Sequence, residues 1–165
     1  MTIKKFTALF ASAALFGGSV SYADDAQFDA SATILDALAV TLDTDLAFAN
    51  VVPDASSAGT VEVSAAGART CAPVLTCTGT VAAADFTVTG ADGNSFAVTL
   101  PSSANISETG GETMLVDGFV SSLPGNTGTL TGGTTDFQLG ATLNVGAAQA
   151  AGDYTGTFTV TVEYN

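Results

Sequence analysis

From Tyr154 to Tyr164 the residues read Tyr-Thr-Gly-Thr-Phe-Thr-Val-Thr-Val-Glu-Tyr, an alternation without a break. Tyr154, Gly156, Phe158, Val160, Val162 and Tyr164 share one face, and the threonines with Glu163 share the other. Successive side chains of a strand point to opposite sides, so a period of two predicts a long, half-buried strand. A second alternating run, Phe28-Asp-Ala-Ser-Ala-Thr-Ile34, lies towards the other end of the chain. A strand edge left unpaired is a template for pairing with another chain. What covers the terminal strand is therefore the first question the sequence raises.

The chain starts with Lys4 and Lys5, an apolar stretch from Phe6 to Phe16, and a small-x-small site at Ser21-Tyr22-Ala23. This is the pattern of a secretory signal peptide, too short to serve as a membrane span. Cleavage after Ala23 takes 23 of 165 residues and leaves 142, a length that suits one domain with a proper core. The expected destination is the cell surface or the extracellular space, with the periplasm in transit. Beyond Ala23, Arg69 stands alone against 16 acidic residues, so the formal charge moves from −13 to −15. Such a surface repels nucleic acid and anionic lipid, so neither a nucleic-acid partner nor membrane insertion is expected. Solubility accounts for the charge; cation bridging between molecules is the sharper reading of it. Cys71 and Cys77, in Cys-Ala-Pro-Val-Leu-Thr-Cys, are expected to form a disulfide in an exported chain. The loop they close is short, and the chain-entropy estimate gives a gain of about 2 kcal/mol.

Strand signals recur along the chain and helix signals do not. Leu38-Ala-Val-Thr-Leu42 alternates, within an apolar region that runs from Ile34 through Leu46 and Phe48. Val61 and Val63, Phe86–Gly90, Ser95–Leu100, Thr113–Val120 and Phe137–Val145 are further strand candidates. Asp92-Gly93 between two of these runs predicts a hairpin. Seven or eight strands without an amphipathic helix describe an all-β fold, an antiparallel sandwich of immunoglobulin-like type. The expected organisation is a signal peptide over 1–23, an extended donor-like segment over 24–36 and a β-sandwich over 37–165. The seven Phe beyond the signal are expected in strands and in the core.

The chemistry missing beyond residue 23 is as informative. There is no His, Lys or Trp there. Ser-His, Cys-His and Ser-Lys nucleophiles are excluded, as are His-rich zinc sites and a GxxxxGK[ST] phosphate loop. Carboxylate pairs such as Asp43 with Asp45, or Glu108 with Glu112, lie in polar, turn-like stretches. Asp92-Gly93-Asn94 runs into Ser95-Phe96 rather than completing a calcium loop. No catalytic residue, metal site or cofactor is expected, and the chain does not read as an enzyme.

The strings FTVTGADGNSFAVTLP, ETMLVDGF and LGATLNVGAAQAAGDYTGTFTVTVEYN resemble the bacterial domain-of-unknown-function family 4402. The ending, in which Gly152 and Tyr154 feed the final strand, is also similar to archaic chaperone-usher pilins and the spore coat U domain. Two departures stand out. Those relatives usually carry a Cys shortly after the first strand, absent here, and often Phe-Gly where this chain has Phe48-Ala49. The pilin resemblance implies a sandwich lacking one strand, completed by an extended segment of a neighbour through β-strand addition. The donor would be Ala26–Ile34, with Phe28, Ala30, Ala32 and Ile34 directed into the groove. The acceptor would be Phe158, Val160, Val162 and Tyr164 on one side and Leu38, Val40 and Leu42 on the other. Partners would be copies of the chain or related subunits, with a periplasmic chaperone and an outer-membrane usher in transit. Alternatively, Ala26–Ile34 folds back and completes its own sandwich, giving a monomeric, non-catalytic secreted or envelope domain.

Overall fold

The structure is a computed structural model that describes residues 24–165. The signal-peptide expectation falls on residues 1–23, outside the described residues. The chain divides after Thr33 into two units, and the second, Ile34–Asn165, carries all the strands described below. Asp24–Leu38 forms no strand. The strands then follow as β1 (Ala39–Thr44), β2 (Asn50–Val52), β3 (Gly59–Val63), β4 (Arg69–Cys71), β5 (Thr76–Thr78) and β6 (Ala84–Thr89). After these come β7 (Ser95–Thr99), β8 (Ser103–Ser107), β9 (Thr113–Ser121), β10 (Thr127–Thr129), β11 (Thr134–Val145) and β12 (Thr161–Tyr164). One 3-10 turn at Pro124–Asn126 interrupts them. The fold is all-β with antiparallel pairing throughout, as the alternation predicts.

β11 is the spine of a seven-stranded sheet. Thr134–Leu139 pair with β6, and Ala141–Val145 pair with β3. The opposite edge of β11 takes β9. β1 lies outside β6, β4 outside β3 and β8 outside β9. A three-stranded sheet runs β10-β7-β12, and β2 with β5 forms a third, two-stranded sheet. The strands outnumber the seven or eight expected because long extended lines are broken locally. Residues 39–52 form one such line. β1 pairs with β6, Ala47 forms a bridge with Ala82, and β2 pairs with β5, all in nearly one register. A register shift between Leu42 and Thr44 and a left-handed Ala49 (φ 58°) split it into pieces.

Two apolar clusters form the core. Val61, Leu75, Ile106, Val116, Ala141, Leu143 and Val145 make the first. Val88, Phe96, Val98, Leu130 and Phe137 make the second. Phe86 stacks on Phe137 at 5.0 Å between ring centres, and Phe119 meets Phe158 edge-on at 5.2 Å. Among the seven phenylalanines of the described residues only Phe96 and Phe137 are fully buried; Phe28 is exposed, and Phe28, Phe48 and Phe158 lie outside strands. The disulfide between Cys71 and Cys77 is present, as expected.

Two local expectations need correction. The turn at Ala91–Asn94 does not close a hairpin. β6 already has β1 and β11 as neighbours, and β7 has β10 and β12, so the chain crosses here from one sheet to the other. Gly93 N–H donates to the Leu130 carbonyl at 2.8 Å, and Gly132 N–H to the Asp92 carboxylate at 2.8 Å, which secure the crossing. Nor is Tyr154–Tyr164 one continuous strand. Thr161–Tyr164 pair with β7, and Thr155 exchanges both backbone hydrogen bonds with Ser107, but Gly156–Val160 joins no ladder among the described residues. Pro101 lies opposite that gap, between β7 and β8, and it has no N–H to donate.

Candidate functional site

Among the described residues, the line 39–52 has its backbone partners on one side only, residues 76–89. Among the same residues, the terminal line from Thr155 to Tyr164 likewise has partners on one side only, in β8 and β7. Near one end the two lines are tied together. The Tyr164 hydroxyl donates to the Asp36 carbonyl at 2.8 Å and accepts the Ala91 N–H at 2.6 Å. Towards the other end they bound a groove of about 870 Å³, with residues 45–53 on one wall and 149–158 on the other. The lines therefore run antiparallel on opposite sides of the groove. Ile106, Leu143 and Val145, all buried core residues, form its floor. The core thus opens directly into the groove.

The side chains on both walls report the same thing. Val40 lies directly opposite the buried Val88, and Leu42 opposite Phe86, which stacks on the buried Phe137. Residues directly opposite in a ladder share a face of the sheet. Val40 and Leu42 therefore point to the core side, yet they are 37% and 50% exposed. On the other wall Val162 lies opposite Val98, and Tyr164 opposite Phe96. Val98 and Phe96 are buried, whereas Phe158, Val160, Val162 and Tyr164 are only half-buried. The alternation seen in the sequence is real, but the core that should cover its apolar face stops short at both lines.

The seven expected acceptor residues divide by position. Leu38, Val160, Val162 and Tyr164 pack against the second core cluster, and Phe158 packs against the first and lines the groove. Val40 and Leu42 stand on β1 as expected. Leu46, Phe48, Val51 and Tyr154 also pack against the first cluster and line the groove; they were not among the expected site residues. Their signal was present, since Leu46 and Phe48 continue the even-numbered alternation of Leu38, Val40 and Leu42 past Asp43-Thr44-Asp45. Asp43 is not in a turn but in β1, where its carboxylate accepts the Thr87 hydroxyl at 2.8 Å. Glu108 and Glu112 close a turn through a backbone hydrogen bond of 3.0 Å. Among the described residues no group of three His, Cys, Asp or Glu is placed to hold a metal, and no helix is long and apolar enough to cross a membrane.

Local chemistry shapes both walls. A Cβ on Gly156 would come within 2.7 Å of the Ile106 side chain, so only glycine allows the terminal line to press this closely on β8. The Tyr154 hydroxyl donates to the Ala150 carbonyl at 2.8 Å and accepts from Gln149 at 2.9 Å, fixing the turn that enters the line. Asp54, beyond the end of β2, accepts the N–H groups of Ser56 and Ser57 at 2.9 and 2.8 Å. Those bonds hold its carboxyl below the usual carboxylate range. The expected donor residues Phe28, Ala30, Ala32 and Ile34 are all exposed, Phe28 at 91% and Ile34 at 95%.

No curated protein and no solved structure matches the chain. A family model does match, over residues 38–164, the span from the first wall to the last. On that match the chain belongs to the family described as Domain of unknown function (DUF4402).

Proposed function

We propose that the protein is an exported, non-catalytic structural subunit of a surface fibre or pilus-like assembly. Ala26–Ile34 of one copy would enter the groove of another by β-strand addition. The observation that carries this reading is the pair of one-sided lines whose core-facing residues stay exposed above an open core. A missing strand leaves such a signature: unpaired backbone on each side and an uncovered apolar floor between.

The dimensions suit the reading. Nine extended residues span about 30 Å, and the ten residues from Thr155 to Tyr164 span about 33 Å. Phe28 and Ile34 are exposed and alternate with polar residues, so their apolar surface is free for burial in a partner. Burying each fully is worth about 1.5–3 kcal/mol. Because the two walls run antiparallel, an added strand would be antiparallel to one and parallel to the other. In this reading the immunoglobulin-like sandwich becomes complete only in the assembly. The partners are copies of the chain or related subunits, escorted by a periplasmic chaperone and an outer-membrane usher. A unit that folds back and completes itself would instead remain monomeric.

The test is assembly of the protein beginning at Asp24 against the same protein lacking Asp24–Ile34. The intact protein is expected to form multimers that resist SDS without heating, and the truncated one to remain single but folded. A stable monomer from the intact protein at high concentration would contradict the reading.

A further inference from the structure

One wall of the groove is held from outside by an unusual pair of side chains. β2 supplies Asn50, Val51 and Val52 to that wall, and its ladder partner is β5. β5 is itself tied to β4, and not by a backbone ladder. Arg69 and Cys71 are two residues apart on β4 and so project from the same face. Cys71 is disulfide-bonded to Cys77, which lies directly opposite Val51. The Arg69 guanidinium donates to the Thr78 and Gly79 carbonyls at 3.1 Å each and to the Cys77 carbonyl at 3.3 Å. Leu75, in the loop between the cysteines, is buried in the first core cluster and gives β5 an apolar anchor as well.

The use of Arg69 is informative. It is the single basic residue beyond position 23, in a chain with 16 carboxylates. Its five N–H donors could pair with any of them, yet the guanidinium is committed to three successive main-chain carbonyls. We infer that Arg69 and the Cys71–Cys77 bridge are positioning groups for the groove: together they clamp β5, β5 fixes β2, and β2 holds the wall open for an incoming strand. The inference rests on the strand-addition reading for its purpose, though not for its geometry. It also assigns the bridge a role other than closing a short loop. The bridge is the covalent link between the spine sheet and the small sheet that forms the groove wall.

The experiment compares the protein lacking Asp24–Ile34, which carries no donor of its own, with three variants of it: Cys71→Ser/Cys77→Ser, Arg69→Met, and Leu130→Ala in the second core cluster as a core control away from the clamp. Two quantities are read for each. One is amide hydrogen exchange at Asn50–Val52 and Thr76–Thr78. The other is affinity for a labelled synthetic peptide of residues 24–36. In both clamp variants protection at these six positions should fall at least ten-fold, and peptide affinity should fall at least ten-fold. In the core control both should stay within three-fold of the parent, which separates positioning from general loss of stability. Arg69→Met serves if the cysteine variant fails to fold. Protection within three-fold of the parent in a folded clamp variant would overturn the clamp. Lost protection with unchanged peptide affinity would overturn its link to the groove. If the peptide binds no protein, the parent included, the strand-addition reading fails, and exchange alone decides the clamp.

Discussion

Ala49 offers an unusual perturbation, because replacing it by glycine should stabilise an extended region. Its φ is 58°, in the left-handed region that a Cβ disfavours. An L-residue with a Cβ is about 1–2 kcal/mol worse there than in its preferred conformations. Glycine removes that strain but gains freedom in the unfolded chain, which returns about 0.4–1 kcal/mol. Ala49 is exposed, so little packing is lost with its methyl group. The net expectation for Ala49→Gly is about 0.5–1 kcal/mol of added stability, a rise in melting temperature of about 2–4 °C for a domain of this size. Ala47, two residues earlier on the same line, provides the contrast. It bridges Ala82 through hydrogen bonds of 2.9 and 3.0 Å and has no positive φ, so Ala47→Gly should lose about 0.5–1 kcal/mol. Thermal and urea unfolding followed by circular dichroism would measure both. A lower melting temperature for Ala49→Gly would refute the left-handed backbone and the break it makes between β1 and β2.

Three other outcomes are expected. Tyr164→Phe removes the acceptor for the Ala91 N–H and the donor to Asp36, and should destabilise by about 1–3 kcal/mol in urea unfolding; no measurable change would mean that water replaces both bonds. Phe28→Ala should weaken subunit association by about 10- to 150-fold, the equivalent of one buried Phe, while leaving the monomer melting temperature unchanged; a shifted monomer would place Phe28 in its own core. The depressed Asp54 carboxyl contributes stability above the unfolded carboxylate value of about 3.9, and that contribution is lost as pH falls through its folded value. An NMR titration should show the Ser56 and Ser57 amides shifting with a midpoint below that value, and Asp54→Asn should abolish the transition.

The sequence made strand content legible where one face is buried, because alternation records burial directly. Phe137–Val145 and Thr113–Val120 fall within β11 and β9 for that reason. Pairing was harder to read. Alternation says which face of Phe86–Thr89 is apolar, but not that its neighbours are β1 and β11 rather than β7. The Asp-Gly turn therefore suggested a hairpin where the chain changes sheets. The Gly156–Val160 gap depends on Pro101, some sixty residues earlier, and no local pattern contains it. On the acceptor side, Leu38, Val160, Val162 and Tyr164 were legible as an apolar stripe. Leu46 and Phe48 were obscured by Asp43 and Asp45, whose charges suggested a turn although Asp43 lies on the solvent face of β1. Ala49, which stands where the pilin resemblance led us to expect the glycine of Phe-Gly, takes the left-handed conformation in which glycine would be free of strain.

The proposed strand addition can be tested most directly at the amides of Gly156–Val160, which join no ladder among the described residues. Hydrogen exchange at these positions should be fast in the protein lacking Asp24–Ile34 and should slow at least ten-fold when a peptide of residues 24–36 is added. Equal exchange with and without saturating peptide would contradict an added strand at this edge.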